Sequence, residues 1–166
     1  MTDSDLKVFV DGTAKFFTQV ATSPAEVSTP YVREDSDRVT FDFSAVIGVS
    51  GTQRGCVYYS APRKMVEELM TMVGESDHSD ENCADFVGEI ANTISGNARE
   101  FLGSGFMISV PVVFYGPSGD VRFPQEMASF VIPIIWNRQR SSLIICLRDQ
   151  PKAKDAVNLE LDVVEV

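Results

Sequence analysis

The residues best suited to chemistry lie in one stretch, Asp85-Phe-Val-Gly-Glu-Ile-Ala-Asn-Thr-Ile-Ser-Gly-Asn-Ala-Arg-Glu-Phe-Leu102. Turned by about 100° per residue, it places Phe86, Val87, Ile90, Ala91, Ile94, Ala98, Phe101 and Leu102 along one side, the expected core face. Glu89, Asn92, Gly96 and Arg99 fall together on the opposite side. Glu89 and Asn92 are surface neighbours at this spacing. They set a carboxylate beside a neutral amide that both donates and accepts hydrogen bonds. An amide cannot act as a general base, but it can hold and aim a water, the part a glutamine plays when GTPases hydrolyse a phosphate. A carboxylate beside it can pair with a lysine on a partner and fix the docking register. Gly96 keeps the floor low, so that another molecule's backbone can approach.

The same choices are poor ones for helix stability. Outward positions usually carry Ala, Glu, Lys or Arg. Relative to Ala, Asn92 costs about 0.6 kcal/mol and Gly96 about 1 kcal/mol. With Gly88 and Ser95 on the flank, the total is roughly 2–3 kcal/mol. Stability lost on an exposed face without a packing gain points to function. A structural explanation stands beside this one. Gly88 and Gly96 would permit close packing with the preceding helix, and Asn97, at the edge of the core face, would be a buried hydrogen-bonder. A lone Glu-x-x-Asn pair arises by chance in many chains and does not decide between them.

The elements that must position this face follow from periodicity and punctuation. Leu6, Phe9, Val10, Phe16, Phe17 and Val20 predict an opening helix, capped within Thr2–Asp5. Pro24 and Pro30 bracket a short extended stretch. Val39–Val49 and Gln53–Tyr59 predict a hairpin turning at Ser50-Gly51-Thr52. A second helix is expected with Ser60 as N-cap, Pro62 in the first turn, an apolar face of Met65, Val66, Leu69, Met70 and Val73, and a stop at Gly74. The longest helix is expected over Asp80–Leu102, ended by Gly103 and Gly105. Strands are predicted over Met107–Tyr115, Met127–Trp136 and Ser141–Arg148, with a hairpin loop at Asn137–Arg140. The order helix, strands, helix, helix, strands predicts an α+β fold with one antiparallel-rich sheet and helices packed on it. Residues 1–149 form the expected single domain. The tail from Gln150 onward is expected to be an added edge strand or an arm.

Composition narrows the function classes. The chain has 166 residues, is 44% hydrophobic and carries a net charge of −10. That size suits one domain with its own core. The acidic balance disfavours general nucleic-acid binding and a polybasic membrane patch, leaving Arg63, Lys64 and Arg99 as local cations. The acidic start does not resemble a signal peptide, and no apolar run approaches a membrane span. Cys56, Cys83 and Cys146 form no close-spaced pair, and His78, the one histidine, lies in a polar loop, so a zinc site is not expected. A reduced, cytoplasmic setting is expected.

The string Gly88-Glu89-Ile90-Ala91-Asn92-Thr93-Ile94-Ser95-Gly96-Asn97-Ala98 resembles the signature helix of the CheX-type members of the CheC/CheX phosphatases. Those proteins remove phosphate from the aspartyl-phosphate of CheY-like receiver domains. Asp5–Gln19, the spacing from Gly51 and Gly55 through the second helix to Gly74, and Val110-Pro111-Val112-Val113-Phe114-Tyr115-Gly116 are similar to the family as well. The resemblance covers roughly Asp5–Arg148. It implies that Glu89 pairs with the receiver's active-site lysine and that Asn92 orients the attacking water. It further implies that the Mg²⁺ belongs to the receiver, with no cofactor bound by this chain. The opening helix has Asp11-Gly12-Thr13-Ala14 where CheC relatives carry a second motif, so one site per chain is expected, with Gly96 and Arg99 on the partner-binding face. A homodimer joined through sheet edges is also implied. The rival is a module on the same fold that binds or scaffolds receivers without hydrolysis. A dimerisation or sensory domain is a third reading.

Overall fold

A computed structural model describes residues 1–116 and 121–151. Helix α1 (Asp3–Val20) opens on a capping box. The Thr2 hydroxyl accepts from the Asp5 N–H at 3.2 Å, and the Asp5 carboxylate accepts from the Thr2 N–H at 2.8 Å. The helix buries Leu6, Phe9, Phe16 and Phe17, while Val10 and Val20 pack at the margin. The stretch between the two prolines supplies strand β1 (Glu26–Val27), and β2 (Tyr31–Val32) follows it. The predicted hairpin is β3 (Phe43–Gly51) and β4 (Gln53–Ala61). Gly51 turns it with φ +96°, where a Cβ would lie 2.0 Å from the Gly105 carbonyl oxygen.

Helix α2 (Arg63–Met72) starts differently from expectation. Ser60 is a buried residue of β4, its hydroxyl 2.8 Å from that of Ser44 and donating to the Phe43 carbonyl at 3.1 Å. Pro62 takes the cap position and has no side-chain acceptor. The Asp42 carboxylate serves instead, accepting the Arg63 N–H at 2.7 Å. The helix ends as expected: Gly74 has φ +86°, and the N–H groups of Gly74 and Glu75 return to the carbonyls of Thr71 and Met70. Helix α3 spans Asp80–Leu102, capped by Ser79 and closed at Gly103.

The run expected over Met107–Tyr115 is two strands, β5 (Phe106–Ile108) and β6 (Val112–Tyr115). Pro111 has no N–H for a sheet ladder. At the break the Ser109 N–H donates to the Gly48 carbonyl, and the Ser109 hydroxyl accepts the Gly48 N–H, both at 2.9 Å. Strands β7 (Phe130–Trp136) and β8 (Gln139–Asp149) are joined through Asn137 and Arg138, both with positive φ, as a tight two-residue hairpin requires.

All pairings are antiparallel. The central order is β7-β8-β4-β3, with β1 and β2 sharing the outer side of β7, and β5 and β6 sharing that of β3. Period-two alternation gives the sheet two apolar faces. Ala45, Ile47, Val57, Tyr59, Leu143 and Ile145 face the three helices. Tyr58, Val131, Ile144 and Cys146 face the other way, beneath Val121, Phe123 and Met127. The fold is the expected α+β arrangement. The tail beyond Pro151, expected as a strand or arm, lies outside the described residues.

Candidate functional site

Helix α3 lies on the sheet with α1 on one flank and β6 on the other, and two glycines set how closely. Gly12 of α1 faces Asn97, and a Cβ on it would stand 3.3 Å from Asn97 Cβ and 3.4 Å from the Ile94 carbonyl oxygen. Through that notch the buried Asn97 amide donates to the Gly12 carbonyl at 3.2 Å. Asn97 is thus the structural hydrogen-bonder that its place at the edge of the core face suggested. It fixes the roll of α3 and so the direction in which the opposite face looks.

Gly88 has a packing reason too, against a different neighbour from the one expected. A Cβ there would come 2.7 Å from Val113 Cγ1 and 3.4 Å from Pro111 Cγ, so the glycine admits the β6 edge and not the preceding helix. Gly96 has no such reason, because a Cβ on it would meet nothing within 4 Å. The unreturned stability on this face therefore comes down to Asn92 and Gly96, about 1.5 kcal/mol together.

Glu89 and Arg99 are exposed, and Asn92 and Gly96 half-buried, on the side turned from the core. The side chains of Glu89, Asn92 and Arg99 make no hydrogen bond or ion pair among the described residues. Three residues of helix separate Glu89 and Asn92 by about 4.5 Å along the axis, close enough to enter one pocket of a visitor together. The four residues singled out in the sequence are brought together on one open face. Arg63 is not available to it: its guanidinium is paired with the Asp80 carboxylate, lies 3.6 Å from Glu67 and stacks 4.8 Å over the Phe43 ring. The hydrogen bond to Asp80 raises its pKa further. His78 is a loop residue held locally, its Nε2 3.0 Å from the Glu75 carbonyl oxygen.

Two expectations about α3 fail. Phe101, assigned to the core face, is 69% exposed. Phe101 has the right phase but is left uncovered, although Leu102 beside it still packs against the core. Ser95, treated as flanking the exposed face, is fully buried, with its hydroxyl unpartnered among the described residues. Among those residues no group of three or more His, Cys, Asp or Glu could hold a metal ion.

A family model described as chemotaxis phosphatase CheX matches residues 43–135, which include all of α3. Among solved structures, a chemotaxis protein CheX from Desulfovibrio desulfuricans is 25% identical, with a TM-score of 0.76 over 87% of this chain and 99% of that one. A CheC-like superfamily protein from Shewanella sp. PV-4 is 23% identical, with a TM-score of 0.78 over 89% of this chain and 99% of that one. A complex of CheX with CheY, BeF3 and Mg²⁺ from Borrelia burgdorferi contains a chain 18% identical, with a TM-score of 0.69 over 87% of this chain and 97% of that one. No curated protein matches the chain.

Proposed function

The chain belongs to the CheX family of chemotaxis phosphatases, and on that premise we propose that Glu89 and Asn92 are the residues with which it hydrolyses the aspartyl-phosphate of a CheY-like receiver domain. The observation that carries this reading is the unpaired Glu89–Asn92 couple on an outward face whose floor is lowered at Gly96. The Borrelia CheX–CheY complex supports a receiver as the partner, and the BeF3 and Mg²⁺ of that complex fit a metal held on the receiver side.

In the reaction, water attacks phosphorus as the aspartyl carboxylate leaves, giving inorganic phosphate and the free receiver carboxylate. The Asn92 side chain enters the receiver's pocket, and its amide carbonyl accepts a hydrogen bond from the attacking water, holding the water's oxygen in line with the bond to be broken. Glu89 pairs with a lysine of the receiver, which aligns α3 along the pocket. Arg99 lies farther along the same face and adds attraction towards the receiver's acidic rim. A hundredfold acceleration needs about 2.7 kcal/mol of transition-state stabilisation, within reach of two positioned side chains.

The protein acts in the cytoplasm on this reading, as a homodimer joined through a sheet edge. The β5–β6 edge suits that role, since Met107, Val110, Val112 and Tyr115 are all exposed along it.

The test is phosphate release from a phosphorylated receiver. Asn92→Ala and Glu89→Ala abolish the acceleration, and Asn92→Ala is neutral or stabilising in thermal unfolding. Unchanged decay with both variants refutes the assignment. Stable capture of phospho-receiver by the unsubstituted chain, with no phosphate released, would select the scaffolding role.

A further inference from the structure

Strands β4 and β8 pair in a register that sets Cys56 directly opposite Cys146. Residues directly opposite on antiparallel strands share a face, with Cα atoms about 4.5–5.5 Å apart. A disulfide spans Cα separations of about 4.4–6.8 Å. Both thiols are free, and both belong to the small apolar cluster on the sheet face turned away from α3. They differ in access: Cys56 is half-buried, Cys146 fully buried. The third thiol, Cys83, belongs to the core on the helix side of the sheet and cannot compete for either.

We propose that Cys56 and Cys146 form a modification site, a dithiol that a peroxide converts to a cross-strand disulfide. Cys56, the more accessible thiol, reacts first as its thiolate. Its sulfur attacks one oxygen of hydrogen peroxide and the O–O bond breaks. The sulfur becomes a sulfenic acid, and the departing hydroxide takes up the thiol's proton to leave as water. Cys146 then attacks the sulfenic sulfur; the S–S bond forms, the S–O bond breaks, and the hydroxyl leaves as a second water with the Cys146 proton. Two electrons pass from the thiols to the peroxide. Burial pushes the Cys146 thiol up, which leaves the more accessible Cys56 to meet the peroxide first.

The bond has a local structural effect. Cys146 Sγ now lies 3.0 Å from the Ser129 hydroxyl. Closing the disulfide draws the sulfur towards Cys56 and off Ser129, at the end of the segment that carries Phe123 and Met127 over this face.

The experiment treats the full chain with hydrogen peroxide, then counts free thiols and maps non-reduced peptides by mass. The expected result is loss of two of the three thiols, a peptide pair linking Cys56 to Cys146 within one chain, and full recovery with dithiothreitol. In Cys146→Ser, oxidation stops at a dimedone-reactive sulfenic acid on Cys56. In Cys56→Ser, no cross-link forms. A cross-link through Cys83 or between chains overturns the proposal, as does persistence of all three thiols at peroxide levels that oxidise free glutathione.

Discussion

Replacing Gly96 separates what helix α3 prefers from what a docking partner requires. A methyl group at this position meets no atom within 4 Å, and the residue lies in the body of a 23-residue helix. Gly96→Ala therefore removes the helix penalty of glycine with no steric cost, a gain of about 0.8–1.0 kcal/mol. In a chain of this size that raises Tm by about 2–4 °C. Gly96→Gln keeps most of the gain and adds a side chain beside Asn92, one turn away. A receiver lying across this face then meets the added bulk, and phosphate release slows at least about tenfold, equivalent to about 1.4 kcal/mol. Calorimetry on both variants, with phosphate release from a phosphorylated receiver, reads the two effects separately. A fall in Tm for Gly96→Ala shows that the position is packed. Full activity in Gly96→Gln shows that no partner crosses it. Either result refutes the reasoning.

Gly88→Ala gives the opposite sign of stability change from Gly96→Ala. Its methyl is forced against Val113 and Pro111, and overpacking outweighs the helix gain by about 1 kcal/mol, read as a lower Tm. Asn97→Ala leaves the Gly12 carbonyl without its side-chain partner and lowers stability by about 1 kcal/mol in denaturant unfolding. Asp149 accepts a hydrogen bond from Gln53 at 2.9 Å and faces the amino terminus of Met1, and these hold its carboxyl below the ordinary range. Because its folded pKa is the lower one, its contribution is present above the unfolded pKa and is lost as pH falls through the folded value. Asp149→Asn lowers Tm slightly at neutral pH, where the carboxylate contributes, and leaves the most acidic values unchanged, so the acid limb of Tm against pH flattens below about 4.

The geometry of the candidate site is legible in the sequence because it depends on one regular element. Rotation by 100° per residue needs only the phase of Ile90, Ala91, Ile94 and Ala98 to turn Glu89 and Asn92 outward, and the stop at Gly103 is a local signal. Failures came where a residue's role depends on something distant in sequence. Phe101 has the phase of a core residue, but only the extent of the neighbouring elements shows that its ring is left uncovered. Ser60 looks like a cap by type, yet the hairpin register commits it to β4, and Asp42, 21 residues before Arg63, supplies the acceptor. Gly88 resembled a loss of stability until Val113 was placed beside it. The facing of Cys56 and Cys146 depends on a pairing 90 residues apart that neither cysteine's own neighbours signal.

On the proposed assignment the docking face runs from Glu89 to Arg99, eleven residues of one rod, about 15 Å from end to end. A footprint that short, on a preformed surface with no loop to order, belongs with brief encounters rather than lasting complexes. Rapid parting follows, since affinity among related complexes is set mainly by how fast they separate. Each copy is then free within moments to meet the next phosphorylated receiver, so a scarce protein can drain a much larger signalling pool.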